Sequence, residues 1–142
     1  MDSKEAKPSY RIQRLKPNLV LIQWLRTPKD QSPEIQHWLD ELKQIVHHAT
    51  EPVYFLSDLR RGRVTDVRAL FELGQLSKHK NWAMGVAFSK SITSEVYAQL
   101  FARFSPTEKP IADSLEAALA MLEEQHPGIT AGIDWAQIFA EN

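Results

Sequence analysis

The stretch VYFLSDLRRGRVTDVRAL, residues 53–70, decides how the chain folds. Its opening part, Val53 to Leu59, is short, apolar and rich in aromatic and β-branched side chains, and it follows the breaking pair Glu51-Pro52. Such a run reads as a strand, and Arg60-Arg61-Gly62-Arg63 reads as the loop that ends it. Thr65 and Asp66 each carry an oxygen that can cap a helix. The buried face of that helix is expected to hold Val67, Leu70, Phe71 and Gly74.

The same unit recurs on both sides. Upstream, Tyr10 to Leu15 alternates as a half-buried edge strand does, Lys16-Pro17-Asn18 supplies turn chemistry, and Leu19 to Leu25 is nearly continuous and apolar. These two runs predict an antiparallel hairpin. Ser32-Pro33-Glu34 then offers an N-cap hydroxyl, Pro at the first helical position and an acid at the positive end of the dipole. Ile35, Trp38, Leu39, Leu42, Ile45 and Val46 fall at three- and four-residue steps, a stripe that can lie on a sheet. His47 and His48 close that helix, where cations are favoured.

Downstream, Trp82 to Phe88 reads as the fourth strand. Ile92, Thr93 and Tyr97 have the spacing of a hydrophobic staple, and Val96, Leu100, Phe101 and Phe104 continue a helical stripe until Pro106. Pro110-Ile111-Ala112 reads as a short fifth strand, and Ser114 as the cap of a helix using Leu115, Leu119 and Leu122 before Pro127-Gly128. Alternating helices and strands predict an α/β fold: a mostly parallel sheet of about five strands, an antiparallel N-terminal hairpin and four helices. The expected organisation is a polar lead over residues 1–9, one domain over 10–126, and an appendix over 127–142. In that appendix Asp134 caps a turn bearing Trp135, Ile138 and Phe139, which either folds back as a lid or meets a partner or second copy.

Composition narrows the function. The 142 residues are 43% apolar and 25% charged, so the chain is an ordinary globular one rather than a disordered one. Seventeen basic against eighteen acidic side chains leave a formal charge of -1, which gives no global field for nucleic acid or anionic lipid. Cysteine is absent, which excludes disulfides, thiolate nucleophiles and Cys-ligated metals. Met1 to Ser9 lacks an apolar core and no apolar run approaches the ~20 residues of a membrane helix, so a cytoplasmic location and no membrane insertion are expected.

No catalytic motif emerges. The five glycines, at 62, 74, 85, 128 and 132, never approach a nucleotide fingerprint, and no Gly-flanked serine follows a strand. No cofactor and no enzymatic activity are expected. His47 and His48 point about 100° apart on a helix, while His37, His79 and His126 are remote in sequence, so they read as a helix-end pair and surface residues rather than a metal site. Asp58 and Asp66 form a possible carboxylate pair, but a strand-end Asp and an N-cap Asp have structural roles of their own. Arg60, Arg61, Arg63 and Arg68 gather at the carboxyl end of a strand, where open α/β sheets place ligands. With Thr65 they make a candidate site for a phosphate or a partner's carboxylate; the alternative is a solvated loop neutralised by Asp58 and Asp66.

The element order, and Ser57-Asp58-Leu59 followed by Asp66-Val67-Arg68-Ala69, resemble the STAS and SpoIIAA-like superfamily, whose best-known members are anti-sigma-factor antagonists. The resemblance spans roughly residues 10–125. There, Asp-Leu-Ser at a strand end leads to Asp-Ser-Ser-Gly at the next helix start, and the serine that is phosphorylated corresponds to Val67, which has no hydroxyl. The resemblance therefore implies the fold and a regulatory module without the phosphoswitch, with Thr65 as the nearest hydroxyl. The later segments resemble the SpoIIAA-like branch sometimes grouped with lipid-binding CRAL-TRIO domains. Two functions follow: a non-enzymatic module binding an unknown protein partner near residues 58–68, or a carrier of a small apolar or anionic ligand beside Tyr97, Phe101 and Phe104.

Overall fold

The computed structural model describes residues 9–89 and 111–139. The helix expected from Ser91 to Phe104, with Tyr97, Phe101 and Phe104, lies outside the described residues, as does nearly all of the polar lead. Five strands, β1 (Tyr10–Lys16), β2 (Leu19–Trp24), β3 (Val53–Asp58), β4 (Trp82–Phe88) and β5 (Ile111–Ala112), lie in one sheet in their sequence order. Only β1 and β2 are antiparallel; β2 to β5 are parallel, as the alternation of elements requires. Four helices are present among the described residues: α1 (Pro33–His47), α2 (Val67–Leu76), α3 (Leu115–Gln125) and α4 (Trp135–Ile138).

The period of two along β2 divides the core. All six β2 residues are buried: Val20, Ile22 and Trp24 face α1 and α2, whereas Leu19 and Leu21 face the layer built by α3 and the C-terminal turn. β3 does the same, with Val53 and Phe55 on the first face and Leu56 on the second. A strand covered on both faces has no place for a polar alternation, which is why β2 reads as a nearly continuous apolar run, interrupted at Gln23.

On α1 the expected stripe is buried through Ile35, Trp38, Leu39, Leu42 and Val46. Ser32 occupies the N-cap position, but its side chain makes no capping bond and its hydroxyl is buried without a partner. The helix tolerates this because five buried apolar side chains contribute ~1.5–3 kcal/mol each, against ~1 kcal/mol for one unmade cap. Tyr10 braces the helix from β1, its hydroxyl donating to Glu41 Oε1 at 2.5 Å and its ring meeting Trp24 at 5.2 Å. Burial, then the Glu41 carboxylate, hold that phenol proton well above the usual tyrosine range.

The α2 face differs from the sequence expectation. Ala69, Leu70, Leu73, Gly74 and Leu76 are buried, while Val67 and Phe71 are turned outward. On α3 the deepest positions are Ala118 and Leu122, with Leu115 and Leu119 half-buried; Ser114 caps it, its Oγ accepting from Ala117 N at 3.1 Å.

The C-terminal turn folds back on its own sheet. Ile129 is buried beside Leu19, Leu21 and Val86, and Trp135, Ile138 and Phe139 pack against the same cluster. Gly128, at φ +90°, allows the chain to reverse, and the Glu123 carboxylate accepts from Gly128 N, Thr130 N and Thr130 Oγ1 at 2.8, 2.8 and 2.5 Å. Asp134 caps the last turn through Gln137 N at 3.1 Å. These bonds, the Thr130 hydroxyl first, lower the Glu123 pKa from 4.5 to about 2. A lowered carboxylate stabilises the turn fully above pH 4.5 and progressively less down to about 2. The Gly128 and Thr130 amide resonances are therefore expected to keep their native shifts until the pH falls through that window, and to lose them at every pH in Glu123→Gln.

Candidate protein-binding surface

Two loops meet at the carboxyl end of the parallel strands, residues 25–32 after β2 and residues 59–66 after β3. Each is rich in polar backbone that must be satisfied, and they largely satisfy one another. Arg63 N donates to Thr27 Oγ1 at 3.3 Å, and Thr65 Oγ1 to Asp30 Oδ1 at 2.6 Å. Asp66 does most, with Oδ1 accepting from Ala69 N at 3.1 Å and Oδ2 from Gln31 N at 2.7 Å. One buried carboxylate thus caps α2 and pins the other loop at Gln31, whose φ is +69°. Thr65 is not the cap; its hydroxyl is spent on Asp30.

Gly62 is required where the two loops cross. A Cβ there would overlap the backbone of Arg26 and come within 2.6 Å of Thr27 N, so no side chain fits without moving a loop. Val64 and Leu59, 1% and 5% exposed, anchor the loop into the core beneath.

Asp58 is likewise committed. It is buried, accepts from Gln23 Nε2 at 3.3 Å, and holds Arg60 through the backbone N at 3.1 Å and through Nε and Nη2 at 2.9 Å each. The Arg60 guanidinium lies over the rings of Phe88 and Phe139, 5.4 and 5.2 Å from their centroids. The side-chain bond to Asp58 holds this guanidinium above its ordinary pKa. Arg60, a candidate anion ligand in the sequence, clamps β3, β4 and the C-terminal turn together. Asp58 and Asp66 serve two separate hydrogen-bond sets.

What the surface presents begins at α2. Val67 is 54% exposed and Phe71, one turn later, 48%. Arg68, with 83% of its side chain exposed, reaches Glu72 at 3.4 Å, and Glu72 also meets Lys43 at 3.4 Å. Arg61 and Thr65 are exposed and Arg63 is half-buried. The sequence carried a signal for this arrangement. From Val67 and Phe71 the next steps along the stripe are Gln75 and Lys78, both polar, whereas Ala69 and Leu70 continue into Leu73 and Leu76.

Among the histidines, the fold brings together two that the sequence separates: the His47 and His79 rings lie 5.0 Å apart. His126 packs edge-on against Tyr54 at 5.4 Å. Among the described residues no group of three or more His, Asp or Glu is placed to hold a metal ion. Beside Trp24, Trp38, Phe55, Ser57 and Trp82 lies a cavity of about 50 Å³. At ~10–15 Å³ per water that volume suits a few waters rather than a lipid-like molecule. No described helix is long and apolar enough to cross a membrane.

No protein-family model matches the chain, and no curated protein matches its sequence. Two solved structures resemble its fold. One is an uncharacterized protein of the DUF3478 family with a SpoIIAA-like fold from Shewanella loihica PV-4, at 15% identity and TM-score 0.55, covering 80% of this chain and 91% of that one. The other is the anti-sigma factor antagonist SpoIIAA in its unphosphorylated form, at 13% identity and TM-score 0.58, covering 81% and 96%. The chain has the SpoIIAA-like fold.

Asp66→Ala is expected to lower stability by ~1–2 kcal/mol for the lost cap and ~1 kcal/mol more for the Gln31 N–H left without its acceptor. Urea unfolding checks this, and a loss below ~0.5 kcal/mol would show that Asp66 does not brace the two loops.

Proposed function

We propose that the protein is a non-enzymatic regulatory or scaffold module that binds a protein partner through residues 58–68 and the exposed side of α2. The observation that carries this reading is the Val67–Phe71 pair, two large apolar side chains one turn apart and about half exposed on an otherwise well-buried helix. Arg63 and Arg68 flank it, and buried aromatic side chains with neighbouring arginines dominate the energetics of protein interfaces. The loop beneath is held by Asp66, Gly62 and the Asp58–Arg60 clamp, so the surface is preorganised and binding need not order it.

The likeness to an anti-sigma factor antagonist supports a regulatory task. At the position where that class of protein carries its phosphorylated serine, Val67 offers an apolar side chain. A partner contact there is set by apolar burial and arginine charge rather than by a phosphoryl group at that residue.

The test is capture of partners by the tagged protein, comparing the wild type with Val67→Asp/Phe71→Ser and with Arg63→Glu/Arg68→Glu. Each variant should keep the wild-type circular dichroism and weaken capture of the same partner at least about tenfold, the equivalent of ~1.4 kcal/mol. Arg60→Glu should act differently, lowering the melting temperature because it leaves Asp58 unpaired. Capture unchanged in both surface variants would contradict the proposed surface.

A further inference from the structure

Strand β1 closes one side of the sheet and, among the described strands, pairs with β2 alone. The phase of its backbone is fixed where it begins, by Leu25 N donating to Ser9 O at 2.7 Å. Ser9 and Leu25 stand opposite one another in the register that sets Tyr10 against Trp24, so theirs is a hydrogen-bonded pair. Such pairs alternate along an antiparallel ladder. Arg11 and Gln13 therefore bond to Gln23 and Leu21, whereas Tyr10, Ile12 and Arg14 turn their backbone N–H and C=O groups away from β2, toward the open edge.

The side chains along that edge carry charge of one sign. The sequence of β1, YRIQRLK, holds two arginines, a lysine and no acid. Arg11 and Arg14 are exposed, and each is bonded to a neutral oxygen: Arg11 Nε donates to Gln23 Oε1 at 3.3 Å, and Arg14 Nη1 to Pro17 O at 2.7 Å. A guanidinium has five N–H groups in a fork that fits a carboxylate, so one such bond leaves each arginine able to take an acid. Arg11 is also oriented, because Gln23 donates in turn to the buried Asp58. The other charges nearby are spent: Lys16 donates to Gly128 O at 3.0 Å and faces Glu123, and Glu41 accepts from the Tyr10 hydroxyl. By the alternation of the strand, Arg14 shares a face with Tyr10 and Ile12, and Arg11 shares the other with Gln13.

Cations on an edge strand guard it against unwanted pairing, and here they guard it selectively. A second copy would bring two more arginines and no acid to the same edge, whereas a strand that carries acids would meet opposite charge. We infer that the β1 edge is a docking site for an extended acidic segment of a partner protein, added as a further antiparallel strand. Its carboxylates stand three residues apart, opposite Arg14 and Arg11, with an apolar residue between them opposite Ile12. Main-chain bonds to residues 10, 12 and 14 supply the affinity, and the two arginines supply the selection. The site lies on a different element from the α2 surface and does not depend on that reading.

The test uses the full chain and, as probe, the end-capped peptide Thr-Glu-Thr-Val-Glu-Val-Thr, with a control peptide in which both glutamates are lysines. Calorimetric titration should show the glutamate peptide binding the wild type at least about tenfold more tightly than the lysine peptide, and Arg11→Glu/Arg14→Glu should reverse that preference. With the glutamate peptide bound, the Ile12 and Arg14 amides should exchange at least about tenfold more slowly, while those of Arg11 and Gln13, already bonded to β2, keep their rates. No binding at millimolar peptide, equal binding of the two peptides, or protection of Arg11 and Gln13 in place of Ile12 and Arg14 would each overturn the inference. Protection of Ile12 and Arg14 that rises with protein concentration in the absence of peptide would overturn it too, since a second copy would then hold the edge. Should the variant fail to fold, the two peptides on the wild type still decide the matter.

Discussion

The Asp66 carboxylate is the contact on which the loops at the carboxyl end of the sheet depend. Its two oxygens accept from Ala69 N and Gln31 N, so one side chain starts α2 and fixes the loop that leads into α1. The two crossovers that place α1 and α2 on the same face of the sheet are thereby tied to each other at the carboxyl ends of the strands. Gly62 makes that tie sterically possible, because the loops cross with no room for a Cβ. A buried carboxylate without these donors would cost several kcal/mol, so residue and loops must form together.

The Asp58–Arg60 pair plays the matching part for the other layer. Buried in β3, Asp58 holds a guanidinium that spans Phe88 and Phe139, which connects the sheet to the C-terminal turn. Two acids and an arginine that suggest chemistry in one dimension are occupied by architecture in three. On the outward side of α2, Val67 and Phe71 give up burial that the helix has the leucines to do without. The fold is SpoIIAA-like, and the surface proposed for binding lies at the start of α2.

Much of the fold was legible because each element announces itself by a local physical cue. The nearly continuous apolar run of β2, the Pro33 and Glu34 start of α1, the caps at Ser114 and Asp134, and the helix stop at Pro127-Gly128 all rest on short-range chemistry. The site was less legible because its logic is long-range. Nothing in the spacing of Arg60 tells that Phe139 will cover it, nor that Gly62 lies against Arg26. Val67 and Phe71 read as core positions because an apolar pair at i and i+4 fits a buried stripe; only its continuation into Gln75 and Lys78 marks it as the outer one. His47 and His79 became neighbours through the α1–α2 packing, which no local pattern encodes.

The central claim is that the start of α2 is a partner surface, and the most direct measurement is site-specific photocrosslinking in cells of the source organism. A photoreactive phenylalanine analogue at position 67 is compared with the same analogue at position 37, an exposed residue on α1. The account expects a discrete protein adduct from position 67 that is absent from position 37 and is lost when Arg63 and Arg68 are reversed in charge. No adduct from position 67, or the same adducts from both positions, would contradict it.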